Sequence, residues 1–146
     1  MPIPFEYQNA SRQFDRFMVE SRDNAGLATT NMAWNMVVGV FHAFRARLSL
    51  EQALIFADAL PPVVRALFLE NWDPTLPSKE FDTFEAMLDD VRSVRRRHNF
   101  STANAIPAVA TALRNNIDIV TFLRALEQLP PAAQNYWLSE CNAGQR

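Results

Sequence analysis

Residues 47–74 read RLSLEQALIFADALPPVVRALFLENWDP, and they encode a helix, a one-residue corner and a second helix. Ser49 with Gln52 three positions on forms a capping box, in which the hydroxyl accepts from an orphan amide of the first turn. Leu50, Ala53, Leu54 and Ala57 then recur at helical spacing. Leu60 precedes two prolines, which push it out of the α region. Pro61 and Pro62 suit the opening turn of the next helix, where a missing amide costs nothing. The Asp73-Pro74 step stops that helix near Trp72.

A degraded copy of this unit returns near the C-terminus. Leu60-Pro61-Pro62 matches Leu129-Pro130-Pro131 at an offset of 69, and Phe14-Asp15-Arg16-Phe17 matches Phe81-Asp82-Thr83-Phe84 at 67. At the larger offset Asn35 meets Asn104, Arg45 meets Arg114, Ser49 meets Asp118 and Phe68 meets Trp137. Caps, corner and core positions agree together. The expectation is an all-α fold of about eight helices, in two pseudo-repeated four-helix halves at 10–73 and 80–142. They would be joined by a proline-bearing linker at 74–79 and packed as one globular domain spanning 1–146. Two copies are too few for a solenoid.

Working outward along the chain, Pro2 and Pro4 predict an extended arm over residues 1–8, pinned to the body by Phe5 and Tyr7. A first helix is expected from Ser11 to Asp23, with Phe14, Phe17 and Met18 inward and Gly26 ending it. Thr29 or Thr30 caps a second helix to Arg47 that is apolar nearly all round, as a central buried helix is. A fifth spans Asp82–Arg97, acidic early and basic late, which suits the helix dipole. Ser101 or Thr102 caps a sixth to Asn115, where Pro107 predicts a bend or a late start. Asp118 caps a seventh to Gln128, and Pro130 opens an eighth that ends before Gly144.

Composition excludes more than it assigns. The 146 residues are 49% hydrophobic, enough to argue for a packed core, and a net charge of −2 makes no global case for nucleic acid. One cysteine, Cys141, excludes an internal disulfide framework and suits a reducing compartment; with no secretory leader evident, the cytoplasm is expected. The most apolar run, Met32–Phe44, is too short to span a bilayer. His42, His98 and Cys141 have no ligand-like spacing, so neither a metal nor another cofactor is expected, and Cys141 does not read as a nucleophile. Three scattered glycines leave no phosphate loop.

The strings R-L-S-L-E-Q-A and L-P-P-V-V-R-A-L-F-L-E-N-W-D-P resemble those of a family of small bacterial proteins of unknown function, with a signature carried here by Leu60, Pro61, Arg65, Leu67, Glu70, Trp72 and Pro74. The likeness extends over nearly the whole chain, including Leu129, Pro130 and Trp137 of the second half. There Gln134 stands for Arg65 and Ser139 for Glu70, so any role needing that pair is confined to the first half. The resemblance implies an all-α fold and a bacterial origin, and no activity or cofactor.

One local feature carries chemistry. Asn31, Asn35, His42 and Arg45 fall within roughly 80° of one another on the second helix, at 3.6 residues per turn. Such a stripe is either a small anion or acid–base site, since imidazole titrates near neutrality and guanidinium grips carboxylate or phosphate, or the helix's thin solvent-facing edge. Arg65 and Glu70 lie roughly 140° apart and each is expected to bond another element. Arg92, Arg95, Arg96 and Arg97 read as compensation of a helix dipole, with weak nucleic-acid binding as the alternative. Trp34, Trp72 and Trp137 read as core. Together these point to a non-enzymatic interaction or self-association module, acting on a protein partner or as a homodimer. The alternative is a small-ligand or anion-binding protein, or an enzyme, using the stripe.

Overall fold

In the computed structural model, which describes residues 2–140, there are nine α-helices and no strands among the described residues. They are α1 (Phe5–Gln8), α2 (Ala10–Ala25), α3 (Thr30–Arg45), α4 (Leu50–Asp58), α5 (Pro62–Leu69), α6 (Phe84–Ser93), α7 (Ala105–Asn115), α8 (Ile119–Glu127) and α9 (Pro131–Leu138). The helices pack as a globular domain around α3. From Asn35 to Phe41 every side chain of α3 is buried.

The caps of α3, α4 and α8 are those expected from the residues, whereas α7 follows Asn104 and is capped by neither Ser101 nor Thr102. Thr29 Oγ1 accepts from Met32 N (3.1 Å), and Ser49 and Gln52 exchange both capping-box bonds at 3.2 and 3.0 Å. Asp118 accepts from Val120 N and Thr121 N. Gly26 ends α2 in the left-handed region, at φ 73°. At both proline corners the chain turns in one step, and the second proline is the first residue of the new helix.

Helices of 8 or 9 residues, as α4, α5, α8 and α9 are, do not hold in water alone. They are held by the aromatic core they share. The Trp137 ring lies 5.0 Å from that of Phe41, 5.3 Å from Phe44, 5.4 Å from Phe56 and 6.3 Å from Phe122. These rings come from α3, α4, α8 and α9, so one cluster ties four elements. Such ring pairs contribute about 0.5–1.5 kcal/mol each beyond burial.

The longer helices interleave. The packing partner of α2 is α7 as well as α3, and that of α6 is α3. Gly39 makes the α3–α6 crossing possible, because a Cβ there would stand 2.4 Å from the Val91 carbonyl oxygen. Sixty-nine positions on, Ala108 sits in α7 opposite α2, its carbonyl accepting from Asn24 Nδ2 at 3.1 Å. Asparagines stitch the same seam. Asn35 Nδ2 donates to His98 O (3.0 Å), and Asn104 Nδ2 donates to Asn24 O (3.1 Å). Asn35 thus ties α3 to the turn that follows α6, and Asn104 ties the start of α7 to the last turn of α2.

Several expectations need correction. Residues 5–8 form one helical turn, not an extended arm; Tyr7 is held by Arg65, but Phe5 is 74% exposed and pins nothing. The fifth helix begins at Phe84, capped by Thr83, and stops at Ser93 instead of Arg97. Arg95 there adopts φ 46°, and Asn99 Nδ2 closes the Val91 and Val94 carbonyls at 2.8 Å each. α7 starts late, at Ala105 after Asn104, because Pro107 is tolerated only in the first turn, where no amide is needed. Trp137 is core, but Trp34 is 40% exposed and Trp72 half-buried. Cys141 and the end of the second half at 142 lie outside the described residues.

Gly39→Ala is expected to cost about 1–3 kcal/mol, since backbone rather than a flexible side chain must move. A shift of the urea midpoint with unchanged slope would register it.

Candidate functional site

The stripe on α3 does not converge on one point. Asn31, at its outer end, is exposed. Asn35 is 7% exposed and spent on the seam with His98. His42 and Arg45 meet at the carbonyl end of α5. His42 Nε2 donates to Leu67 O at 2.9 Å, which fixes the Nε2–H tautomer because a carbonyl can only accept. Arg45 Nη1 donates to Phe68 O (2.7 Å) and Glu70 O (2.8 Å). The last carbonyls of a helix have no partner of their own and carry its negative pole. A guanidinium set against them supplies both donors and charge.

The reading of the stripe as a solvent-facing edge is therefore wrong for its inner members: Arg45 is only 8% exposed. Sequence periodicity placed these residues on one line of the helix, but not which element covers that line. The cover is α5 together with the chain that follows it.

That chain turns back over Arg45. Asn71 takes φ 56°, a left-handed conformation that asparagine tolerates better than most residues. The Trp72 ring lies 5.6 Å from the Arg45 guanidinium carbon, a cation–π stack. Ser78 Oγ donates to Leu48 O (3.1 Å), and Lys79 N to Ala46 O (2.8 Å), so the segment is tied down at its far end. Between loop and body a cleft of about 230 Å³ remains, bounded by His42, Arg45, Leu50, Trp72, Leu76 and Lys79. Asn71, Leu76 and Lys79 were not singled out from the sequence. Only the asparagine just past the helix end could have hinted at the turn.

Burial chiefly, and the Arg45 charge beside it, push the His42 imidazole below its ordinary value; the hydrogen bond to Leu67 and the Glu70 carboxylate act the other way. Burial likewise lowers Arg45. Asp73, also on the cleft wall, has its carboxylate turned to Thr75, which donates from Oγ1 at 2.5 Å and from N at 3.0 Å and holds its pKa down.

Of the pair expected to bond other elements, Arg65 does so, whereas the Glu70 side chain is exposed and bonds none among the described residues. Arg65 donates from Nε to Ala57 O (2.9 Å) and from Nη2 to Leu60 O (2.7 Å), bracing the proline corner, and from Nη1 to Tyr7 Oη. Leu60, Leu67, Leu129 and Trp137 are core. Arg92 donates to Ser101 O (3.1 Å), whereas Arg95, Arg96 and Arg97 lie beyond the end of α6. A larger cleft, about 490 Å³, opens between α6 and α7 at Phe84, Leu88 and Pro107, away from His42 and Arg45. Among the described residues no three His, Cys, Asp or Glu side chains gather as a metal site.

Two bonding patterns recur 69 positions on. Arg114 Nη1 donates to Trp137 O and to Ser139 O (3.1 Å), as Arg45 does to Phe68 and Glu70. Gln134 Nε2 donates to Leu129 O (3.1 Å), as Arg65 does to Leu60. The second arginine has two further partners: its Nη2 donates to Thr111 Oγ1 at 3.4 Å and lies 3.3 Å from the Glu140 carboxylate.

An all-helical chain with a proline-cornered helix pair and an arginine closing the second helix defines a structural class but no chemistry. The chain belongs to the family of uncharacterized conserved proteins DUF2267, whose model matches residues 14–136. No curated protein matches it. No helix among the described residues is long and apolar enough to cross a membrane.

Because the folded-state pKa of His42 is lowered from 6.5, the unfolded chain takes up a proton there first as pH falls. Stability should therefore drop below pH 6.5 and level off beneath the folded-state pKa. His42→Gln, which keeps a donor for Leu67 O, should flatten that part of the profile. Urea unfolding of both proteins across this range measures the difference.

Proposed function

We propose that the chain is a non-enzymatic association module built from two copies of one four-helix unit, acting on a partner helix or on a second copy of itself in the cytoplasm. The two-copy reading is supported by the shared spacing of caps, proline corners and arginine-to-carbonyl bonds. The interleaved helix packing suits it too, because asparagines 69 apart each bridge to the opposite half. Superposing backbone 30–69 on 99–138 tests it; helices that fail to overlay would reject it.

The observation that carries the association reading is Trp34. It is 40% exposed on α3 and borders a shallow groove of about 450 Å³ whose floor is Val63, Ala66, Leu67 and Leu69 of α5. Tryptophan is among the residues most enriched at energetic centres of interfaces, and an apolar groove between two helices matches the apolar face of a third. The polar side chains of the stripe, by contrast, are mostly engaged with backbone carbonyls. This favours binding over acid–base chemistry. The arginines at 95–97 are a weaker case for nucleic acid, since the chain carries a net charge of −2.

Trp34→Ala is expected to weaken association by about 2 kcal/mol or more while leaving the helical signal and the aromatic core intact. Light scattering and pull-down with wild-type and variant protein measure it. A wild-type chain that stays an unpartnered monomer at cellular concentration in both assays would sink the reading.

A further inference from the structure

Among the described residues Arg45 and Arg47 are buried and Arg114 is largely covered, its side chain 14% exposed, and two of the three face a carboxylate. Arg47 Nη2 lies 2.7 Å from Asp90 and Arg114 Nη2 3.3 Å from Glu140. Arg45 is the third. It is 8% exposed, its Nη1 serves two carbonyls, and among the described residues no carboxylate lies within 4.0 Å of it. The comparison with Arg114 is close, since both grip the carbonyls after the equivalent helix in the same way. The position matching Glu140 is Asn71, whose side chain is neutral. Where the second half places a carboxylate on the guanidinium, the first half has a cleft of about 230 Å³ with Arg45 in its wall.

The other walls indicate what such a carboxylate would be attached to. Leu50 and Leu76 are 54% and 68% exposed at this cleft, and the Trp72 ring already covers one face of the guanidinium. Lys79 adds a second cation at the rim, shared with Asp90 at 3.2 Å. The opposing charge of Asp73 is engaged by Thr75. At about 230 Å³ the cleft has room for an acid of a few carbons.

We propose that this cleft binds a small monocarboxylate with an apolar tail. The carboxylate sits on the Arg45 nitrogens that the carbonyls of α5 leave unused, and the tail lies against Leu50, Trp72 and Leu76. The pairing compensates a buried charge that otherwise has only dipoles beside it, and charge-assisted bonds to carboxylate are the strong ones. This goes beyond the association reading and is independent of it, because Trp34 is not part of the cleft; its comparison of Arg45 with Arg114 rests on the two-copy alignment.

The test is a titration of the full chain, followed by NMR at the Trp72 indole N–H and the amides of residues 71–79. Butyrate and benzoate are the probes, with butyramide and inorganic phosphate as comparators. Butyrate and benzoate should give saturable shifts confined to this loop and to His42, and butyramide none. Arg45→Met should weaken binding about tenfold or more. Since that change also strips the cap of α5, Leu50→Asp serves as the second variant. It puts an acid in the first turn of α4, which the dipole favours, and should weaken butyrate binding by a similar factor in a folded protein. Trp34→Ala should leave butyrate binding unchanged whether or not the chain associates. Equal shifts with butyramide, phosphate binding as tight as butyrate, or no saturable shift at millimolar acid would each overturn the assignment.

Discussion

A short helix that ends inside a protein leaves carbonyl groups with no donor, and this molecule answers with arginine. α5 is only 8 residues long, and its carbonyl end is closed by His42 and Arg45 reaching from α3. Leaving such groups buried and unpaired costs about 1–3 kcal/mol each, a large part of the stability of an ordinary domain. The central helix therefore does two things at once. Its apolar positions supply the core, and its one polar line locks the end of the helix packed against it. Every feature above this level, including the loop at 71–79 and the cleft beneath it, begins where Arg45 stops α5.

The same device governs the other end of the chain, and the contrast between the two shows where chemistry can reside. Arg114 closes the carbonyls after α9 and is then neutralised by Glu140. Arg45 closes those after α5 and keeps a charged edge toward a cleft lined by leucine and tryptophan. The same bonding role is found in both places, while the electrostatic balance differs. That difference, rather than any cluster of acids, bases or metal ligands, is the chemically distinctive feature of the molecule.

The proposed association surface and the proposed ligand cleft lie on different faces. Trp34 and the apolar side of α5 form a shallow groove, suited to a helix. The Arg45 cleft is smaller and carries charge, suited to a small acid. They share α5, whose outer side meets the groove and whose carbonyl end meets the cleft, so an occupant of one is mechanically close to the other.

Much of the architecture was legible in the residues. Helix starts depend on local hydrogen bonds, and Ser49, Thr29 and Asp118 cap where their side chains dictate. Proline corners depend on local sterics and fall at 60–62 and 129–131. The residues that matter at the cleft were half legible: a helical wheel put His42 and Arg45 on one line but also included Asn31, which is exposed, and Asn35, which serves a different contact. The early end of α6 and the exposure of Trp34 had no local signature, since Val94 and Trp34 are as compatible with a longer helix and a buried ring. What the chain determines by itself is whatever short-range bonding and φ/ψ sterics can decide. Which face of α3 is covered, by α5 on one side and α6 on another through Gly39, was settled only by tertiary packing, because a helix periodicity records that a side chain points inward or outward and carries no information about what it meets there.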